Sequence, residues 1–212
     1  MKVHQDPTFK RAVAEEKKTI YMIFSAYYHN ELWNPEELQQ VIDMLRYFAV
    51  TEEIPIEEAL KTIEDSTKAQ IQQAIFDFTK LFIGPDHLKV PPYESVYVNH
   101  DRLVMAESTL KVRAFYEMCG VEINAKGKYP EDHMAFELEF LAYLYHQTLQ
   151  NEVERARIRQ FMQAHLAKWY REHLNEVIEK ADTEYCKAWA LIIRTVIEKD
   201  ISDTEKEWKG GV

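Results

Sequence analysis

Apolar residues recur at helical spacing along almost the whole chain, and this periodicity limits the possible folds more than any other feature. Only five glycines and seven prolines interrupt the 212 residues. Repeats of three to four positions place an apolar stripe along a helix, whereas a half-buried strand needs alternation. Because no alternating stretch of convincing length occurs, the sequence predicts an all-α fold. We expect one helical domain over residues 1–212, or two intimately packed halves.

Capping residues indicate where the helices begin and end. Asp6-Pro7 and Asn34-Pro35 each place a cap residue before a helix-starting proline, and Gly120 is a typical stop. Ser66 or Thr67 caps a helix that runs to about residue 83. The other predicted helices cover residues 56–64, 105–119, 130–149, 152–180 with a break near Trp169, and 183–201.

Residues 84–103 form a segment of a different character. It contains three prolines and shows neither a helical nor a strand pattern. Loops of this length are uncommon inside compact helical domains, and those that occur tend to carry function. We therefore expect a functional loop or hinge at residues 84–104.

Charge and cysteine usage restrict the partners and the compartment. A net charge of -10 opposes binding to nucleic acid or to an anionic membrane and suits a cationic partner. The longest apolar run, residues 20–28, is too short to span a bilayer, which predicts no stable membrane insertion. Without a hydrophobic signal core at the N-terminus, and with Cys119 and Cys186 predicted as two buried thiols, we expect a cytoplasmic protein.

The stretch KYPEDHMAFELEF, residues 128–140, concentrates carboxylates at the start of a very apolar helix. An apolar stripe is predicted for Met134, Leu138, Leu141, Tyr145 and Thr148, with further aromatic residues on the opposite side, as in a helix buried all round. With Pro130 as first helical residue, Asp132 would be the third and would accept free backbone N–H groups. We expect Glu137 and Glu139 to be buried and paired with arginine, lysine or backbone donors. Arg102 and Arg113 are plausible partners.

Sequence motifs for known catalytic chemistry are absent. The metal-binding motifs ExxH and HExxH do not occur. The phosphate-binding motifs GxGxxG and GxxxxGK and the nucleophile motif GxSxG are also absent. We therefore expect no metal, no bound cofactor and no catalytic residues. Two alternatives stay open. One is a small helical hydrolase or lyase that uses His133 with Glu137 or Asp132, and the other is a helical scaffold without a specific ligand.

Four segments together resemble the TorD/DmsD/NarJ family of chaperones for molybdoenzyme maturation, and most closely its TorD/DmsD branch. The resemblance covers roughly residues 70–200, in the order and spacing of the family. Its segments are Leu81-Phe82-Ile83-Gly84-Pro85 running into Pro91-Pro92-Tyr93-Glu94-Ser95-Val96-Tyr97; Glu107-Ser108-Thr109-Leu110 with Val112-Arg113; Pro130-Glu131-Asp132-His133 followed by Glu137-Leu138-Glu139-Phe140; and His165-Leu166 with Trp169.

The resemblance implies an all-helical protein that is not an enzyme. Members of this family bind the twin-arginine signal peptide and the apo form of a molybdopterin oxidoreductase, and they hold it back from export until the cofactor is inserted. The partner would then be the catalytic subunit of a molybdoenzyme, and the chaperone a monomer or homodimer. The resemblance implies a signal-peptide-binding surface at Phe82, Gly84, Pro85, Pro92, Tyr93, Glu94, Ser95, Tyr97, Pro130, Glu131, Asp132 and His133.

The chemistry of such a peptide suggests roles for some of these residues. Two guanidinium groups followed by an apolar segment require carboxylates beside a groove that excludes water. Glu94, Glu131 and Asp132 could receive the arginines. The groove could be lined by Phe82, Tyr93, Tyr97, Phe136 and Phe140. Ordinary core packing is the alternative explanation for these aromatic residues, and the stronger one for Phe136 and Phe140.

Overall fold

A computed structural model describes residues 7–85, 87–123, 129–149 and 155–210. These ranges contain ten α-helices and no β-strand, which confirms the predicted all-α fold. The helices are α1 (Pro7–Tyr28), α2 (Pro35–Thr51), α3 (Glu57–Glu64), α4 (Lys68–Phe78), α5 (Glu94–Val98), α6 (Glu107–Met118), α7 (Met134–Thr148), α8 (Arg155–Ala164), α9 (Tyr170–Lys180) and α10 (Glu184–Gly210).

Several helix boundaries follow from local capping chemistry. The Asn34 side chain accepts a hydrogen bond from the Glu36 N–H, with Pro35 as the first residue of α2. Thr67, rather than Ser66, caps α4 in a reciprocal capping box with Gln70. A π-helical turn, Thr79–Ile83, then extends α4. The predicted break near Trp169 is also present, as the 3₁₀ turn Leu166–Lys168 between α8 and α9.

Other predicted boundaries are wrong. The helix expected from Pro130 begins at Met134, with His133 as its N-cap, so Asp132 is not a helical residue. The last helix continues to Gly210 instead of ending near residue 201. The segment expected to lack helical structure contains the short helix α5. The cap proposed at Asp6 lies outside the described residues.

Helix α7 is buried over most of its circumference, as its apolar residues predicted, but one side that includes Glu139 and His146 is exposed. It packs along α1 on one side and contacts α8 as well, while α10 packs against α9, α3 and α4. Four of the five predicted stripe residues of α7 are buried, and Thr148 is half-buried. The hydrophobic core is one continuous cluster with members from all the longer helices. Its largest fully buried side chains include Trp169 and Trp189.

A buried carboxylate joins three of these helices. Asp200 of α10 accepts hydrogen bonds from Lys17 Nζ at 2.6 Å and from Tyr21 Oη at 2.6 Å, both on α1. The hydroxyl of Tyr145 on α7 lies 2.7 Å from Asp200 Oδ2. Burial lowers the pKa of Lys17, but the adjacent Asp200 outweighs this effect and leaves the pKa above its ordinary value. The Lys17 ammonium is therefore charged at neutral pH.

The two cysteines differ in their surroundings. Cys186 is buried, its thiol lies 3.6 Å from the Ala74 carbonyl oxygen, and burial raises its pKa to about 12. Cys119, at the end of α6, is only half-buried, so the expectation of two buried thiols is correct for Cys186 alone. Over the described ranges, no helix has both the length and the apolar character needed to cross a membrane.

We expect Asp200→Asn to lower the free energy of unfolding by about 3 kcal/mol, because it leaves the Lys17 ammonium buried without its counter-charge. Tyr21→Phe removes one hydrogen bond to the same carboxylate and should cost only about 1 kcal/mol. Urea denaturation of both variants measures the difference. Equal, small losses would mean that the ion pair does not stabilise the contact between α1 and α10.

Candidate functional site

The proline-rich loop pairs directly with the segment that leads into α7. The Met134 N–H donates to the Pro92 carbonyl oxygen at 2.9 Å, and the Glu94 N–H donates to the Asp132 carbonyl oxygen at 2.9 Å. Between these bonds, Tyr93 and His133 form an isolated antiparallel bridge with their rings 5.1 Å apart. We call residues 91–98 and 130–134 the loop–helix junction. Two of the four sequence segments that carry the family resemblance thus meet in space.

Asp132 organises this junction from a fully buried position. Its Oδ2 accepts a hydrogen bond of 2.7 Å from the Ser95 N–H, in the first turn of α5. The carboxylate was expected to accept N–H groups of its own helix. It serves a neighbouring helix instead, because the pairing of residues 92–94 with 132–134 holds Asp132 in a turn that precedes α7.

Two further carboxylates are buried below the junction. Glu94 Oε2 lies 3.0 Å from Nδ1 of the buried His165. Glu137 Oε2 accepts a hydrogen bond of 3.2 Å from Trp169 Nε1, not from the arginines proposed as partners. Burial, followed by the nearby charge of Glu94, raises the pKa of Glu137 well above its ordinary value. The raised pKa favours the protonated form of Glu137, and a neutral carboxyl group costs less to bury beside a second one.

The two candidate arginines bind other carboxylates. Arg113 makes a bidentate pair with Glu131, with N–O distances of 2.8 and 2.9 Å. Arg102 contacts Glu172 at 3.3 Å and Glu176 at 3.0 Å. Glu139 is exposed, so its predicted burial is wrong. Its side of α7 faces a surface groove instead of the core.

His173 is an organising residue that the sequence reasoning did not identify. It is fully buried in α9, where Nε2 lies 2.8 Å from the Tyr28 hydroxyl and Nδ1 lies 3.1 Å from the Tyr97 hydroxyl. Burial and the proximity of His133 lower the pKa of His173 to about 3, so the ring is neutral. Trp169 precedes His173 by four residues and stacks on Tyr97 at 5.5 Å. This aromatic i,i+4 pair on one helical face is the signal that could have identified it.

The side chains proposed as an acid/base pair have separate structural roles. His133 Nδ1 accepts a hydrogen bond from the Ala135 N–H and so caps α7. Burial, with a smaller effect of His29, lowers the pKa of His133 to about 3. Glu137 is bonded to Trp169 instead of orienting His133. In the part of the chain that the structure describes, no group of three His, Cys, Asp or Glu residues could hold a metal ion.

The remaining predicted site residues divide by exposure. Phe82 is buried and packs its ring 4.9 Å from Phe78, in the core. Pro92 and Pro130 are also buried. Gly84 is partly exposed with φ of 95°, a conformation that favours glycine, and it leads into the exposed Pro85.

A groove opens beside the junction, along the exposed side of α7. It has a volume of about 310 Å³ and is lined by His29, Tyr116, Val121, Glu122, Ile123, Phe136, Glu139, Phe140 and Tyr143. We call it the aromatic groove. Glu122 and Glu139 are exposed at its edge. The smaller cavity that holds the Arg113–Glu131 pair shares four of its lining residues. The groove therefore combines an aromatic wall with accessible carboxylates.

Comparison with known proteins identifies the family. The family model described as nitrate reductase delta subunit matches residues 51–175, which is more than half of the chain. The chain belongs to this family. The TorD/DmsD/NarJ resemblance is thereby confirmed, and with it the assignment to the chaperones of redox enzyme maturation.

Two relatives with similar sequences support the same conclusion. The chain is 28% identical over 207 residues to the chaperone protein TorD of Aliivibrio salmonicida, covering 90% of this chain and 95% of TorD. It is 28% identical over 123 residues to a protein of Haemophilus influenzae named probable Tat proofreading chaperone DmsD, and this match covers 58% of each chain.

A solved structure supports the fold of this family member. The crystal structure of a protein from Archaeoglobus fulgidus, described as a redox enzyme maturation protein, superposes with a TM-score of 0.51 at 18% identity. The superposition covers 84% of this chain and 93% of that one. At this identity the match supports the fold alone.

We expect Glu137→Gln to change how stability depends on pH. Because the folded pKa of Glu137 is raised, the native state binds more protons than the unfolded state, and wild-type stability falls as pH rises above about 4.5. The variant lacks this ionisation and does not lose this stability. The difference in free energy of unfolding, variant minus wild type, should therefore increase by up to about 1.4 kcal/mol per pH unit. Urea denaturation from pH 5 to 8 tests this. A difference that stays constant with pH would contradict a raised pKa for Glu137.

Proposed function

We propose that this chain is a cytoplasmic maturation chaperone that binds the twin-arginine signal peptide and the apo form of a molybdopterin oxidoreductase. In this role it delays export of the enzyme until the cofactor has been inserted. The observation that carries the proposal is the aromatic groove with two exposed carboxylates, which adjoins the Pro130-Glu131-Asp132-His133 segment. The names of the TorD and DmsD relatives support it.

The groove has the chemistry that a twin-arginine leader requires. Glu122 and Glu139 can pair with guanidinium groups without losing an existing buried partner, and bidentate carboxylate contacts are the strong mode of arginine recognition. The apolar part of the leader would lie against Phe136, Phe140 and Tyr143. Of the aromatic residues considered from the sequence, Phe136 and Phe140 thus serve both the core and the groove.

The predicted carboxylates of the junction contribute differently in this proposal. Glu94 and Asp132 are buried and hydrogen-bonded inside the protein, so they hold the shape of the site. Glu131 is engaged by Arg113 at its margin. The partly exposed Tyr93 and Tyr97, with Gly84 and Pro85, extend the proposed surface along the loop. A hinge at residues 84–104 stays a prediction.

Calorimetry with a synthetic twin-arginine leader and its twin-lysine variant tests the proposal. We expect the lysine peptide to bind at least about tenfold more weakly, because an ammonium cannot make bidentate contacts. Glu139→Gln should weaken binding of the arginine peptide by about tenfold for the same reason. Glu58→Gln, a change at an exposed glutamate of α3, is the matched control and should bind normally. Binding of neither peptide, together with no capture of an apo-molybdoenzyme, would refute the proposal.

Substitution of Asp132 tests whether this residue only supports the shape of the site or contacts the peptide directly. We expect Asp132→Ala to lower the free energy of unfolding by about 1–3 kcal/mol and to weaken peptide binding, because the Ser95 N–H loses its acceptor. Asp132→Asn retains an oxygen at this position and should preserve most of the stability and most of the affinity. Urea denaturation and calorimetry measure the two effects. An Asp132→Asn variant with normal stability but no affinity would indicate that the carboxylate itself binds the peptide.

A further inference from the structure

A second groove, separate from the aromatic groove, lies between α1 and α2. Its volume is about 420 Å³, and it shares no lining residue with the aromatic groove. Its floor is formed by the buried Ile20 and Phe48, and its wall by Met44 and Tyr47, which are 41% and 65% exposed. Val50, about one turn further along α2, is 77% exposed. Contiguous exposed apolar surface of this kind is typical of an interaction site.

The rim of this groove is acidic. Glu15, Glu16 and Asp43 line it. Glu15 bonds to Lys18 at 2.9 Å, and Asp43 lies 3.6 Å from Arg46. Arg46 makes its shorter contacts with other carboxylates, at 2.7 and 3.1 Å. The rim therefore keeps an excess of negative charge.

Glu16 is distinct from its neighbours on the rim. Its Oε2 atom is buried and accepts no hydrogen bond from any residue that the structure describes. Burial, and secondly the nearby Glu52, raise the pKa of Glu16. A buried carboxylate oxygen without a donor is destabilising by itself, and an incoming cation would satisfy it.

We propose that the groove between α1 and α2 binds an amphipathic helix of a partner protein, with its apolar face on Met44, Tyr47 and Phe48 and an arginine or lysine directed to Glu16. A groove between two helices accepts a third helix through apolar anchors at i, i+3, i+4 and i+7. Charge complementarity specifies the flanks, because an acidic rim favours basic residues and repels acidic ones. The inference does not depend on the proposed signal-peptide site, since the two grooves have no residue in common.

Selection from a display library of helical peptides tests this proposal. The peptides share a fixed apolar face, their flanking positions are randomised, and binders are selected on the full-length chain. We expect arginine and lysine to be enriched at the flanks. The selected peptide should shift the ¹³C-methyl NMR signal of Met44 and leave that of Met118, an exposed methionine at the end of α6, unchanged. Selected peptides whose flanks are not basic, or a selection that yields no binder at all, would overturn the proposal.

Point variants locate the interaction. Glu16→Gln keeps the shape of the groove and should weaken the selected peptide by about tenfold, and Tyr47→Ala by about tenfold or more. Glu58→Gln and Met118→Ser are matched controls on other exposed surfaces and should retain full affinity. Equal losses in the controls would refute the location. Dimerisation that Tyr47→Ala abolishes would instead identify a second copy of this chain as the occupant and overturn the proposal.

The same variants keep the two proposals distinguishable. Glu16→Gln and Tyr47→Ala should bind the synthetic twin-arginine leader with wild-type affinity, because they do not line the aromatic groove. Glu139→Gln should retain affinity for the selected helical peptide. If Glu16→Gln weakened the leader peptide and left the helical peptide unaffected, the groove between α1 and α2 would belong to the leader, and this inference would be wrong.

Discussion

The contact between Asp132 and the first turn of α5 is the interaction on which the candidate site depends. The hydrogen bond from the Ser95 N–H to a fully buried carboxylate fixes the proline-rich loop against the entrance of α7. The backbone pairing on either side, between residues 92–94 and 132–134, then sets the register of the two segments. A buried polar group is costly without a hydrogen-bond partner, so the Ser95 N–H and the Asp132 side chain each depend on the placement of the other.

A few buried polar side chains each make more than one hydrogen bond to other segments of the chain. Asp200 gathers Lys17, Tyr21 and Tyr145 from two other helices. Asp77 of α4 accepts from the N–H groups of Asp182 and Thr183 at the start of α10. His173 lies between Tyr28 and Tyr97. Each of these side chains joins elements distant in sequence, so the helices are held in relative orientation by directional bonds as well as by apolar packing.

Burial also separates the carboxylates by function. Glu94, Asp132 and Glu137 are buried and each makes a hydrogen bond within the protein, whereas Glu122 and Glu139 face a groove. The groups that resemble a family signature most closely are therefore supports of the junction. The accessible charge is supplied by residues to which the resemblance gave no binding role.

The sequence by itself determined the helical class, most helix starts and the burial of α7, because periodicity and capping are local properties of the chain. The family resemblance placed residues 91–97 and 130–133 on one surface, and the backbones of these two segments do pair. Tertiary structure alone decided which partner each polar residue takes. Asp132 caps α5 instead of its own helix, Arg113 binds Glu131, Glu137 bonds to Trp169, and Glu139 is exposed. The local sequence around a carboxylate is nearly the same whether the group is buried, paired or exposed. Only the hydrogen-bond donors that distant segments bring to it decide which of these occurs.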